Sequence, residues 1–323
     1  MEIVFIPAEI RNCVCFVYAK YGDNDPHPVG TAFFLAVPLG DTGRYQGFVV
    51  SALHVIANVQ MRGGRTLLRV NTHSGAFGLE EIPENQWVRP DQSVEFQDII
   101  VTPWYQGREH YDFNFVTPSD AATSEVMTRE QLGIGNEVFF AGLFVGHFGQ
   151  RRNEPIVRTG TVCSMPVEPV SMTFSTGTEV AIHAYLVESR SVGGLSGSPV
   201  FIDVGMYKSD ASGNLQLRSG SRAWYLLGVM NGHWDAPQET AIVAQGNNAS
   251  DDDTVAGTDS SRDRVSTEYV NMGVAVVTPI DKVLKMLDES PLRDIIAQWQ
   301  RTTEEGLRAQ PNTHPDTDAN AAS

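Results

Sequence analysis

Apolar and β-branched residues recur along the chain in short runs, each closed by Gly, Pro, Asn or Asp. The runs fall at 13–18, 31–37, 46–51, 66–70, 99–102 and 136–141, and then at 156–162, 181–187, 198–202, 224–230 and 272–277. So many short runs, with few helical periods between them, predict an all-β sandwich or barrel. A helix is predicted over 279–287, where Val283, Leu284 and Leu287 fall at helical spacing, and a weaker one over 291–298. A short helix is also expected just after His54. Loops are expected at 206–221, which is polar and Gly/Ser-rich, and at 236–267, which holds Gly246-Asn247-Asn248 and Asp251-Asp252-Asp253. The polar tail from about Arg301, with Pro311 and Pro315, is expected to be disordered.

Composition narrows the function classes. A chain of 323 residues, 41% hydrophobic and 19% charged, can bury a large core as an ordinary globular protein does. Its net charge of -16 argues against a nucleic-acid partner, because phosphate binding needs clustered Lys and Arg. No stretch approaches the roughly 20 apolar residues of a membrane helix. Residues 1–20 lack a basic segment followed by an apolar run, so no secretory signal is expected. The three cysteines are sparse: Cys13 and Cys15 are read as two positions on one face of a strand, and Cys163 stands alone. That usage fits a reducing cytoplasm and no metal site. The Asp251-Asp252-Asp253 cluster lacks the alternating ligands and turn glycine of a calcium loop, and no cofactor is expected.

One local pattern carries chemistry. Gly193-Gly194-Leu195-Ser196-Gly197-Ser198-Pro199 sets a serine on a glycine-rich turn before an apolar strand. A nucleophilic serine must stand proud on such a turn, with backbone N–H groups aimed where negative charge develops. Alone, the pattern is merely a turn. A second segment, Phe48-Val49-Val50-Ser51-Ala52-Leu53-His54, ends a buried strand in a small-residue corner that delivers a histidine, the placement of a general base at a cleft. A carboxylate must then hold the imidazole in its working tautomer. Two aspartates compete: Asp98, before Ile99-Ile100-Val101-Thr102-Pro103, and Asp112, before Phe113-Asn114-Phe115-Val116-Thr117-Pro118. Both are read as standing at the mouth of a strand closed by Thr-Pro. Asp98 is preferred because its strand is the more apolar, and because 44 residues from His54, against 58, suit a compact barrel better. The histidine precedes the serine, and Ser198 replaces the second glycine of Gly-x-Ser-x-Gly, so an α/β-hydrolase is excluded.

The order His, Asp, Ser resembles the trypsin-like peptidases, and within them the bacterial single-domain branch that includes the glutamyl endopeptidases. Further likenesses are Gly30-Thr31-Ala32-Phe33-Phe34, Gly135-Asn136-Glu137-Val138, Leu227-Gly228-Val229-Met230-Asn231-Gly232, and Asn271-Met272-Gly273-Val274 with the helix that follows. The likeness spans roughly residues 10 to 290. It implies two six-stranded antiparallel β-barrels of the chymotrypsin-like fold with a C-terminal helix. The first barrel would occupy about 1–120, the second about 130–278 and the helix 279–288, with a short helix and a disordered tail in 291–323.

It also implies roles. Ser196 would attack a peptide carbonyl, His54 would relay the proton, Asp98 would orient His54, and the N–H groups of Gly194 and Ser196 would hold the oxyanion. Met230, Asn231 and Gly232 would pair with substrate as an added strand, and Arg190 would lie where charge preference is set. Leu195 stands where proteases activated by propeptide removal carry Asp, so that step is not expected. Met230 stands where glutamyl endopeptidases place a histidine, so glutamate preference is not expected either. His73, His110, His147 and His183 show no partner spacing and are read as structural or exposed. The expected partner is a protein or peptide substrate, with no nucleic acid or membrane, and with a regulatory partner or the 236–267 segment as restraint. The rival readings are a catalytically silent binding module and an esterase or acyl-transfer enzyme.

Overall fold

The structure, a computed structural model, describes residues 6–173, 179–189, 194–210, 212–218, 222–240 and 266–309. A short helix α1 (Ala8–Asn12) leads into β1 (Val14–Lys20), β2 (His27–Pro38) and β3 (Tyr45–Ser51). Then come α2 (Leu53–Met61), β4 (Arg65–Asn71), β5 (Phe77–Ile82) and β6 (Ile100–Trp104). These six strands form one antiparallel sheet in the order β5-β4-β1-β2-β3-β6. Val88, beyond β5, closes the circle by exchanging two backbone hydrogen bonds with Val101 on the far edge of β6, at 2.8 and 3.1 Å.

Helix α3 (Ser124–Glu130) crosses to the second half. That half contains β7 (Glu137–Gly142), β8 (Ile156–Ser164), the hairpin β9 (Val170–Thr173) and β10 (Glu179–Ile182), β11 (Tyr185–Glu188) and β12 (Pro199–Asp203). A second hairpin, β13 (Tyr207–Ser209) with β14 (Leu215–Leu217), precedes the long strands β15 (Trp224–Thr240) and β16 (Ser266–Pro279). Strands β11-β16-β15-β12-β7-β8 form a closed barrel. Helices α4 (Ile280–Leu287) and α5 (Leu292–Ala309) end the described chain.

Period two explains why strands on both sides are apolar throughout. On β2, Phe33 and Leu35 face a cluster between the two halves, while Ala32 and Phe34 face the interior of the first barrel. On β7 and β12, Phe139 and Phe201 join the same central cluster, stacked at 5.5 Å, while Val138, Phe140, Val200 and Ile202 fill the second barrel. Ile280, Val283 and Leu287 of α4 seal that central cluster. A six-stranded barrel-like sheet, its circle completed by the Val88–Val101 bridge, packs on a closed six-stranded barrel with a helix across the end, and this makes the fold chymotrypsin-like.

Several expectations change. Cys13 and Cys15 do not share a strand face. Cys13 caps α1, before β1 begins, and lies in the central cluster, whereas Cys15 lies inside the first barrel. Burial pushes both thiols up, Cys13 to about 12. The Asp112–Pro118 segment is not a strand. It crosses the sheet, with Asn114 N donating to Asn12 O and Val116 N to Phe34 O, at 3.0 Å each. The expected loop at 236–267 is strand at both ends, since β15 and β16 stay paired out to Thr240 and Ser266; residues 241–265 lie outside the described part. The expected loop at 206–221 carries the β13–β14 hairpin. The weak helix after Pro291 runs on to Ala309, past the point where disorder was expected. Ile296 packs on the central cluster, Trp299 tilts against Tyr105 at 6.1 Å, and Gln300 bonds Glu304 one turn on. Residues 310–323 lie outside the described part.

Candidate active site

His54 is set by a corner. Strand β3 ends at Ser51, Ala52 stays extended at ψ 135°, and α2 begins at Leu53, with Leu53, Val55 and Ile56 buried. The side chain of His54 is therefore turned outward from a fixed helical start, 24% exposed. The first N–H groups of a helix have no partner within it. Asp98, fully buried two residues before β6, supplies one, its Oδ1 accepting from the His54 backbone N–H at 2.8 Å. Its Oδ2 lies 2.7 Å from His54 Nδ1. A carboxylate accepting from backbone and amide donors on every side leaves Nδ1 as the donor and Nε2 as the basic nitrogen. Burial works against charging the imidazole, but the charge of Asp98 and its hydrogen bond outweigh burial and hold the His54 pKa above the ordinary histidine value.

A buried charge needs its remaining lone pairs satisfied. Asn231, 1% exposed on β15, does this: its Nδ2 donates to Asp98 O at 2.7 Å and to Oδ2 at 3.1 Å. Its Oδ1 accepts from Thr278 N at 2.9 Å and Thr278 Oγ1 at 2.6 Å. The second barrel thus braces an acid that belongs to the first.

Ser196 sits on the turn between Gly194 and Gly197, whose φ angles of +98° and +88° belong to the left-handed side that glycine tolerates. A Cβ at Gly197 would lie 2.0 Å from Thr31 O, so the turn is also closed by space. Thr31 of β2, fully buried, grips it from the first barrel. The Thr31 N–H donates to Ser196 O at 2.9 Å, and its hydroxyl donates to Gly194 O at 2.7 Å while accepting from Leu143 N at 2.9 Å. From the other side Gly197 N donates to Met230 O at 2.7 Å and Met230 N to Ser198 O at 2.9 Å. Among the described residues, the N–H groups of Gly194 and Ser196 meet no protein acceptor. Ser196 Oγ donates to Asn231 O at 2.9 Å. Ser196 and His54 line one cavity of about 280 Å³. Ser198, by contrast, is buried, and its Oγ has no partner among the described residues.

The sequence-derived site residues therefore divide. His54, Asp98, Gly194 and Ser196 converge. Asp112 lies apart, half-buried, 3.6 Å from Arg152. Met230 does not face substrate: its side chain is buried in the second barrel and both its backbone groups hold the serine turn. Asn231 has its side chain turned inward to Asp98 rather than to a cleft. Gly232, half-exposed, lies beyond the end of the pairing with β12, so among the described residues that edge of β15 has no partner strand. Arg190 lies outside the described residues. His183, read as bland, bonds Glu95 at 2.7 Å, and Lys282 pairs with the same carboxylate. Sequence reasoning missed Thr31, Thr278 and the bracing role of Asn231. Thr31 and Asn231 stood in stretches noted for their likeness, but nothing there marked what their side chains hold.

Among the described residues no group of His, Cys, Asp and Glu could hold a metal ion, and no helix is long and apolar enough to cross a membrane. No family model matches the chain, and no curated protein does. Among solved structures the chain is similar to the Rv3671c protease of M. tuberculosis. Its active form is 14% identical, over 88% of this chain and 83% of that one, at a TM-score of 0.45. Its inactive form is 15% identical, over 87% and 89%, at 0.41.

Proposed function

We infer that the protein is a serine endopeptidase whose catalytic unit spans both barrels and α4, to about residue 290. One observation carries the reading: Ser196 and His54 open on the same cavity while buried Asp98 holds the far nitrogen of His54. At rest the single hydroxyl proton of Ser196 goes to Asn231 O. In reaction that hydroxyl turns to His54 Nε2, Oγ attacks the carbonyl carbon, and the proton moves to Nε2. Asp98 stabilises the imidazolium so formed. The oxyanion meets the N–H groups of Gly194 and Ser196, donors each worth about 3–4 kcal/mol in the transition state. His54 then passes its proton to the leaving amine, and water, activated by the same nitrogen, releases the acyl group.

The acyl half of the substrate pairs with the open edge of β15 from Gly232 onward. Within the bacterial single-domain branch, buried Met230 gives no contact to an acidic side chain, so this enzyme is not a glutamyl endopeptidase in specificity. Leu195, buried in the second barrel, and the Thr31 clamp hold the serine turn without a newly cut N-terminus. Peptide-library and ester hydrolysis by the wild type and Ser196→Ala test the reading. Peptide cleavage that depends on Ser196 is expected. Ester turnover alone would mean acyl transfer, and peptide binding without turnover would mean a binding module.

A further inference from the structure

The cavity beside the reacting groups has a chemical character that the proton relay does not use. Apart from Ser196, its walls belong to the first barrel: Tyr21 and His27 flank the β1–β2 turn, and Asn58 and Arg62 lie on α2 and at its C-terminal cap. No residue of β11 or β15 lines it. The space therefore lies away from the strand that takes the acyl half of a substrate, on the side where the amine departs. The ring of His27 stacks on Tyr21 at 5.7 Å and 27°, making one flat wall. Among the described residues no carboxylate lines the cavity. Asp23 and Asp25, on the same turn, are exposed and stand outside its wall. Arg62 is exposed, and among the described residues it pairs with no acid. Its guanidinium is a fixed positive charge whose fork suits a carboxylate.

We propose that this cavity receives the leaving-group side of the substrate and selects a carboxylate there, paired with Arg62. The carboxylate is either an Asp or Glu side chain one or two residues past the scissile bond, or the terminal carboxylate of a short leaving peptide. The proposal rests on the serine-endopeptidase reading. It has a second physical support, since a carboxylate in this space stands near the imidazolium that forms on His54 as Ser196 attacks. Because Arg62 is exposed, the preference is modest and fades with salt.

The test is a peptide series varied only at the two positions past the scissile bond, each with a free or an amidated C-terminus. The peptides serve as substrates of the wild type, Arg62→Gln and Arg62→Glu, and as ligands of Ser196→Ala with and without Arg62→Gln. The expected acidic-to-neutral ratio of kcat/KM is about three to five in the wild type, near one in Arg62→Gln and below one in Arg62→Glu. A gain confined to free C-termini assigns the carboxylate to the chain end; a gain kept in amidated peptides assigns it to the side chain. A wild-type ratio near one, or a preference that survives Arg62→Gln, overturns the proposal. If no peptide is cleaved, the endopeptidase reading fails and binding to Ser196→Ala decides the cavity. Tighter binding of acidic peptides that is lost with Arg62→Gln upholds it, and equal binding overturns it.

Discussion

Asp98 and Asp112 begin segments of nearly the same wording, each an acid followed by apolar residues and Thr-Pro. The first becomes the mouth of the fully buried strand β6, where an acid with no exposure meets a helix N-terminus, an imidazole and an amide. The second becomes a connector across the sheet, where the acid, among the described residues, pairs with Arg152 at 3.6 Å and keeps a third of its surface in water. The difference lies in what closes over each acid. Asp98 is covered by Asn231 from the other barrel, 133 residues away. Local sequence makes an acid available, and a long-range contact covers it and holds it against His54.

The sharpest way to break this comparison is to neutralise each acid. Asp98→Asn is expected to lower kcat by about 10⁴, because an amide there favours the wrong imidazole tautomer. Asp112→Asn should stay within about twofold in the same steady-state assay. Next in size is the brace. Asn231→Leu leaves Asp98 and Thr278 with orphaned polar groups, at about 1–3 kcal/mol each, read as a lower denaturant midpoint and a ten- to hundredfold lower kcat. Asn231→Gln is expected to recover only part of either.

The pH profile sharpens the contrast further. In the proposed mechanism the base is neutral His54, whose pKa lies above the ordinary imidazole value, so kcat/KM should fall with acid at a higher pH than a free histidine would give. Asp98→Asn removes both contributions that raise it and should move that limb to lower pH; Asp112→Asn should leave it in place. The smallest effect belongs to Arg152→Ala, which breaks a half-exposed pair and is expected to change stability by less than about 0.5 kcal/mol in urea titration.

Much of this was legible in the sequence, for physical reasons that also explain the rest. Most of the eleven apolar runs marked strands because those strands, β1, β2, β3, β4, β6, β7 and β12 among them, are buried on both faces, so their pattern is strong. The run at 181–187 proved to be two strands broken at His183-Ala184. Strand β5 escaped notice because it is a half-exposed edge carrying Glu80 and Glu81, with little apolar periodicity to read. Ser196 and His54 were visible because each needs a local device, a glycine turn and a strand-to-helix corner. Thr31, Asn231 and Thr278 act across the barrel interface, and an ordinary polar residue in a strand carries no local mark of that. Asn231 was read as pairing with substrate as part of an added strand, and strand position alone does not say that its side chain turns inward to Asp98.

The most direct test is fluorophosphonate labelling of the folded protein, with the adduct mapped to its residue and its rate compared in wild type, Asp98→Asn and Asp112→Asn. The account predicts an adduct on Ser196 that forms at similar rates in wild type and Asp112→Asn, and far more slowly in Asp98→Asn. No adduct, an adduct on another serine, or slow labelling in Asp112→Asn with normal labelling in Asp98→Asn would contradict it.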